Sequence, residues 1–272
     1  MDDAETLANT GFYWRERDGV KSLISRPLED AGFANAFSTR LGGVSPFPEN
    51  SLNLAGFDED TAENILENRR RFLNTIDGNY RLTTVWQVHG DGVKAVKTDS
   101  DVDDTEERSD ALVSRLTGVL VGVKTADCVP ILLGDRRTRA FGAVHAGWRG
   151  TVRSIAVRAV EAMQREFGTE PSDIVAAIGP AASSEAYEIG RDVIEAFSAA
   201  FSGSEKYFSP TREGHALIDL HAANRDQLLS CGVPFDSIYI APFRTMGRTD
   251  LFFSYRNDKA VYGKTGRLLS VV

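Results

Sequence analysis

A chain of 272 residues, 42% hydrophobic and 26% charged, is long and apolar enough to bury a substantial core without disulfide or metal staples. Its 39 acidic residues outnumber 31 basic ones for a formal charge of −8, which excludes a broad phosphate-backbone footprint. No nucleic-acid partner is expected, and an anionic ligand must be held by a few local arginines against the overall field.

The opening Met1-Asp2-Asp3-Ala4-Glu5 is acidic and lacks the basic start and apolar run of a signal peptide. No apolar stretch approaches the roughly 18 residues that cross a bilayer. Two cysteines far apart, Cys128 and Cys231, do not make a secreted disulfide framework. The expectation is a cytoplasmic protein with no membrane partner. From Phe12 to Ser25 the pattern predicts a strand pair turning at Asp18-Gly19. Phe33 to Arg40 runs into Leu41-Gly42-Gly43-Val44-Ser45-Pro46, a tight loop where backbone must approach something closely, and Asn50 to Leu54 continues it. Ala62 to Ile76 predicts a helix with Arg69, Arg70 and Arg71 largely outward. Leu82 to His89 alternates as a strand. Thr98 to Ser109 holds six acids and reads as a solvated, mobile loop.

Val119 to Thr125, Val129 to Leu133 and Ala140 to His145 predict three strands, the first two parted by Ala126-Asp127-Cys128. After Ala146-Gly147-Trp148-Arg149-Gly150, Thr151 caps a helix running to about Phe167. Ile174 to Ile178 is a short strand. Glu185 to Phe201 and Leu220 to Cys231 read as helices, the second capped by Asp219, and Ser237 to Ala241 and Leu251 to Ser254 as late strands. Helices and strands interleave without regular βαβ alternation, and no linker divides the chain. The reading is one mixed α+β domain spanning residues 1–272.

His89, Cys128 and His145 each fall at the end of a predicted strand or in the break after one, where side chains project from a rigid scaffold. One thiolate and two imidazoles leave a fourth position open in a tetrahedral zinc site, as catalytic zinc requires. Separations of 39 and 17 residues match no compact finger motif, and the same residues also read as a small buried cysteine with ordinary polar histidines. A third reading is a Cys-His nucleophile pair suited to amide or ester hydrolysis. Arg40 beside the glycine loop offers a guanidinium next to exposed amides, which suits phosphate or carboxylate, while the residues alone favour a plain surface turn with a solvated arginine. Arg149 precedes a predicted helix start that also favours anions, though an arginine there also serves simply to cap or brace. Asp110 and Asp127 could orient a ligand histidine or an arginine, or serve as turn aspartates. His215, His221 and Cys231 read as solvated or structural.

Several strings, in order, resemble the YfiH or laccase-domain family, known also as polyphenol oxidase and peptidoglycan editing factor. They are Phe37-Ser38-Thr39-Arg40-Leu41-Gly42-Gly43-Val44-Ser45, Ser51-Leu52-Asn53-Leu54, Gln87-Val88-His89-Gly90, Asp110-Ala111-Leu112-Val113, Thr125-Ala126-Asp127-Cys128-Val129-Pro130 and His145-Ala146-Gly147-Trp148-Arg149-Gly150. Ile178-Gly179-Pro180, Tyr187-Glu188-Ile189-Gly190 and Phe252-Phe253-Ser254-Tyr255-Arg256 complete the series. The resemblance implies a four-layer α/β/β/α sandwich with zinc on His89, Cys128 and His145, the residues that would also carry catalysis. It implies purine nucleoside phosphorylase activity on adenosine, inosine, guanosine and methylthioadenosine, with adenosine deaminase activity alongside, and so a purine nucleoside and phosphate as ligands. Arg40, Asn53 and Arg149 become candidate substrate contacts. A peptidoglycan-precursor amidase and a copper-dependent polyphenol oxidase are the alternatives. Many relatives carry cysteines where this chain has Ala181 and Arg244-Thr245, which weakens the copper oxidase.

Overall fold

Aliphatic residues that alternate along a strand must face two different partners, because successive side chains leave opposite sides of the pleat. Here that alternation builds a stack of four layers. The structure, a computed structural model, describes residues 3–55 and 60–272; the Met1-Asp2 start lies outside the described residues. Sheet one runs edge to edge through Phe12–Arg17, Val20–Ser25, Ala36–Ser38, Leu268–Val271, Val119–Thr125 and Arg81–Thr83. Sheet two runs through Ile238–Ile240, Ile174–Ile178, Val129–Asp135, Phe141–Ala146, Ala111–Ser114 and Val93–Val96. Between them lie Val121, Val123 and Phe37 from sheet one against Leu112, Leu132, Ala143 and Val175 from sheet two. The opposite parity, Leu120, Leu269 and Ile24, packs under the Ala62–Asn74 helix through Phe72. On the far side Val113, Ile131 and Val144 pack against Ile155, Ala159 and Met163 of the Ile155–Phe167 helix, and against Leu228 of the Leu220–Ser230 helix. The α/β/β/α sandwich is therefore written in the parity of the central strands. Among the described residues no helix is long and apolar enough to cross a membrane.

The first hairpin, the three central strands, the Ile174–Ile178 strand and the Asp219-capped helix stand where expected. The glycine loop also approaches backbone closely: a Cβ on Gly43 would lie 2.0 Å from the Ser51 carbonyl oxygen. Elsewhere long-range partners override the local pattern. The expected Leu82–His89 strand stops at Thr83. Beyond it the Gln87 side chain imitates a strand, donating to the Lys124 carbonyl at 2.7 Å and accepting from the Lys124 amide at 2.8 Å. The acidic Thr98–Ser109 segment is ordered: Thr98 and Asp101 form a capping box for an Asp99–Asp103 helix that buries Val102. Arg81 pairs with Asp99 and Asp103 at 2.6 Å each.

The helix expected from Thr151 is two helices, Trp148–Val152 and Ile155–Phe167, broken at Ser154 with φ of 62°. Thr151 is no cap; its hydroxyl donates to the Gly147 carbonyl at 3.0 Å. The first turn expected at Glu185 is instead a short strand, Glu188–Gly190, paired with His215–Ile218 in a three-stranded sheet, and the helix begins at Arg191. Leu251–Ser254 is not a strand, because its backbone is occupied elsewhere: the Arg40 amide donates to Leu251 at 2.8 Å and the Ser254 amide to Asp258 at 3.1 Å. Of the three arginines on the Ala62–Asn74 helix only Arg70 is exposed, and Arg69 turns in to donate to the Leu54 carbonyl at 2.9 Å.

His221 is structural, and its burial makes it a pH sensor of stability. Its Nε2–H donates to the Gly179 carbonyl at 3.0 Å, and burial, then the Arg244 charge, lowers its pKa to about 4. The unfolded side chain titrates near 6.5. The folded pKa is depressed, so the unfolded state binds more protons between these values and stability is lost as pH falls from about 6.5 towards 4. The loss is about 3 kcal/mol. His221→Gln keeps a donor for Gly179 and should shrink the difference in unfolding free energy between pH 7 and pH 4 by about that amount, measured by urea denaturation.

Candidate metal centre and cleft

Cys128 stands one residue before the Val129–Asp135 strand, and His145 lies near the end of the neighbouring Phe141–Ala146 strand. Pairing of Pro130 with His145 brings these two strand ends together. His89 arrives from the loop after sheet one's edge, in the left-handed region with φ of 59°. What holds that loop is a single fully buried carboxylate. Asp110 accepts the amides of Val88 at 3.2 Å, His89 at 2.9 Å and Gly90 at 2.6 Å, and the Nδ1–H of His145 at 2.8 Å. Burial alone would raise the Asp110 carboxyl, but the His145 hydrogen bond and the loop amides hold it below its ordinary value. Asp110 thus fixes the His145 ring with Nε2 turned to Cys128, the carboxylate–histidine arrangement that supports metal ligands; burial opposes the charged imidazole, but Cys128 and Asp110 together raise it to about 9.

The Cys128 sulfur lies 4.0 Å from His89 Nε2, the two imidazoles meet edge to face with centroids 4.8 Å apart, and all three ligand atoms lie within 4.8 Å of one another. A tetrahedral ion with bonds of roughly 2.0–2.3 Å needs its ligand atoms about 3.5 Å apart, so closure by about an ångström completes the site. Among the described residues no fourth His, Cys, Asp or Glu joins the cluster, which leaves one position facing the cleft. Burial opposes ionisation of Cys128, but His145 and His89 overcome it and bring the thiol down to about 6. Gly147 supplies the room: a Cβ there would meet the Cys128 sulfur at 3.0 Å and His89 Cδ2 at 3.1 Å. Its φ of −69° and ψ of 170° suit any residue. Gly147→Ala should therefore keep its melting temperature while metal affinity falls about ten-fold, as after loss of a supporting contact, read by competition with a chromogenic chelator.

The trio opens into a cleft of about 560 Å³. Trp148, Tyr187 and Tyr255 supply aromatic faces, and Arg149, Arg256, Arg267 and Lys124 supply positive charge. Burial, then the Arg69 charge, lowers the Lys124 ammonium to about 8. Asp127 ties the cysteine loop to the far wall, accepting the Thr245 hydroxyl at 2.6 Å, the Ser254 hydroxyl at 3.0 Å and the Arg256 amide at 2.8 Å. Ser254 in turn caps the Tyr255–Tyr262 helix that carries Tyr255 and Arg256.

The structure brings His89, Cys128, His145 and Arg149 into this cleft. Arg40 and Asn53, expected as substrate contacts, do not line it. Arg40 is buried, donates to the Thr249 carbonyl at 2.7 Å and lies 3.7 Å from Asp258. Asn53 accepts the Arg267 amide at 2.8 Å. Both brace the wall behind the site. Tyr187, Tyr255, Arg256, Arg267 and Lys124 also line the cleft and were not among the expected site residues. Lys124 was visible as the one charge in an apolar strand, and Arg256 as a charge following a Ser-Tyr cap. Ala181 and Arg244 are backbone bridge partners, and neither adds a thiol or imidazole.

The family described as multi-copper polyphenol oxidoreductase laccase matches residues 34–272. A purine nucleoside phosphorylase of Deinococcus radiodurans is 39% identical over 242 residues, 88% of each chain. The Escherichia coli purine nucleoside phosphorylase YfiH is 34% identical over 254 residues, 93% of this chain and 98% of that one. In three dimensions the chain is similar to YlmD from Geobacillus stearothermophilus, with a TM-score of 0.86, 33% identity and coverage of 96% and 98%. YfiH of Bacillus licheniformis gives the same TM-score at 29% identity, covering 95% and 97%.

Proposed function

Because this chain belongs to the laccase-domain (YfiH) family, we propose that it is a cytoplasmic purine nucleoside phosphorylase working through one zinc ion on His89, Cys128 and His145. The observation that carries this reading is the convergence of one thiol and two imidazoles, one position open, on a nucleoside-sized cleft with aromatic and arginine walls. The relatives named purine nucleoside phosphorylase, matched over most of the chain, support the substrate class. When bound, zinc supplies Lewis acidity at its open position.

The protein's own groups do the rest. The rings of Trp148, Tyr187 and Tyr255 offer faces for a purine. Arg149 and Arg256 hold phosphate through their guanidinium forks. A phosphate oxygen bonds to ribose C1′ as the bond from C1′ to the purine nitrogen breaks. The bonding pair leaves with the purine, and the proton of hydrogen phosphate ends on it through solvent, giving free base and ribose 1-phosphate. Asp110 keeps the His145 Nδ1 proton in place throughout. Deamination of adenosine in the same cleft exchanges the C6 amino group for oxygen from water and releases ammonia.

Zinc is preferred to copper on the donor inventory. Of four histidines two stand in the trio, and among the described residues His215 and His221 belong to no second cluster of metal-binding side chains. A mononuclear blue-copper site would add a long axial methionine, and no methionine lines the cleft. The test is chromatography of adenosine incubated with zinc-loaded protein, with and without phosphate. Phosphate-dependent adenine and ribose 1-phosphate are expected, together with phosphate-independent inosine. Unchanged adenosine in both incubations overturns the substrate assignment.

A further inference from the structure

Trp148, Arg149, Tyr187 and Arg256 are walls of two cavities at once, the metal cleft and a second space of about 370 Å³ beside it. The Arg149 guanidinium lies 4.2 Å from the Trp148 ring centroid and that of Arg256 lies 4.7 Å from Tyr187. Each is held against an aromatic ring, and among the described residues neither makes an ion pair with a carboxylate. They form a positively charged gate between the two spaces. Past the gate the second cavity is bordered by Arg212 and His215, and by the carboxylates of Glu188 and Asp192. Arg212 is 2.9 Å from Glu188 and so offsets it, and His215 uses Nδ1 on the Glu213 carbonyl. Three guanidiniums and an imidazole face two carboxylates. This is a local positive excess in a chain whose formal charge is −8.

We propose that the second cavity is a phosphate subsite, taking the 5′-phosphates of a nucleoside 5′-diphosphate whose base and ribose occupy the metal cleft. The proposal rests on the nucleoside reading of that cleft. The two spaces share four walls and so lie side by side, which lets one ligand bridge them, and a nucleoside alone leaves the second space to water. Guanidinium forks match phosphate oxygens in pairs. The α-phosphate takes the place of inorganic phosphate on Arg149 and Arg256 at the gate, so the diphosphate binds in competition with phosphate, and the β-phosphate meets Arg212 and His215 beyond it.

The experiment is isothermal titration of the zinc-loaded full chain, in phosphate-free buffer, with inosine and with inosine 5′-diphosphate, repeated on Arg212→Ala/His215→Ala and on Glu188→Gln. Inosine has no C6 amino group to lose and is not phosphorolysed without phosphate, so the titration reads binding alone. The diphosphate should bind at least ten-fold more tightly than inosine, with an advantage that shrinks as salt rises. The double variant should lose most of that advantage while binding inosine as before. Glu188→Gln, which removes a competing carboxylate and frees Arg212, should enlarge it. Equal affinity for the two ligands overturns the proposal. So does an advantage that survives the double variant, because the phosphates would then sit on the metal or on the gate alone. If inosine binds but a parallel incubation with phosphate yields no hypoxanthine, the phosphorylase reading fails and the subsite stands or falls separately on the diphosphate data.

Discussion

Cys128→Ala should empty the metal site and abolish phosphorolysis and deamination together, by about a thousand-fold or more. Loss of an outer partner of a metal ligand typically costs 10–100-fold in affinity or activity, and a direct ligand among only three should cost more. Cys128 is the only soft donor in the cluster, and the two remaining imidazoles make a two-point site. The side chain is half-buried at the cleft wall, outside the packed clusters of both sheets, so the variant should fold. Metal content by mass spectrometry, circular dichroism and the chromatographic product assay read the three consequences separately. Either activity persisting in metal-free Cys128→Ala protein would sink the idea of one shared centre. Cys128→Ser serves as the size-matched arm and should behave like alanine, since a neutral hydroxyl is a far weaker ligand than a thiolate.

Asp110 should prove nearly as costly to change, for two separable reasons. Asp110→Ala leaves the amides of Val88, His89 and Gly90 and the Nδ1–H of His145 without their acceptor. One buried unsatisfied donor costs roughly 1–3 kcal/mol, and partial access of water to the loop keeps the total at about 3 kcal/mol rather than four times that. Urea denaturation measures it. Asp110→Asn isolates the electronic part. An amide keeps one acceptor oxygen but turns its NH₂ towards a donor, and the relief is for His145 to move its proton from Nδ1 to Nε2. That nitrogen is the one the metal needs. Zinc affinity should drop 10–100-fold with a smaller change in stability than for alanine. Wild-type zinc affinity in Asp110→Asn would show that the carboxylate does not control the tautomer.

These two residues mark how much was legible in the chain. The layered core was legible because parity along Val119–Thr125, Val129–Asp135 and Phe141–Ala146 is a local property of the strand. Cys128 and His145 were legible as strand-end residues for the same reason. His89 was found at the right place in the wrong element. Its amide is bonded by a side chain 21 residues away, and no local pattern announces that. Arg40 misled because a guanidinium beside two glycines looks like an anion site from either side. Its partners Thr249 and Asp258 lie more than 200 residues on. The acidic Thr98–Ser109 segment is a different kind of miss, since the Thr98 and Asp101 capping box was present and was outweighed by composition. Tyr255, Arg256 and Arg267 enter the cleft from beyond residue 250, through contacts that only the assembled fold creates.

The placing of the Leu268–Val271 strand gives the molecule a timetable. It lies between Ala36–Ser38 and Val119–Thr125, paired to both, so sheet one is two fragments until it is inserted. His89, Cys128 and His145 leave the ribosome more than a hundred residues earlier, together with Asp110. A nascent chain therefore carries the donors before it owns the walls that Asp127 gathers from Ser254 and Arg256. On the zinc reading, the donors of the centre are all made well before the final strand, whereas the sheet behind the cleft closes only with it.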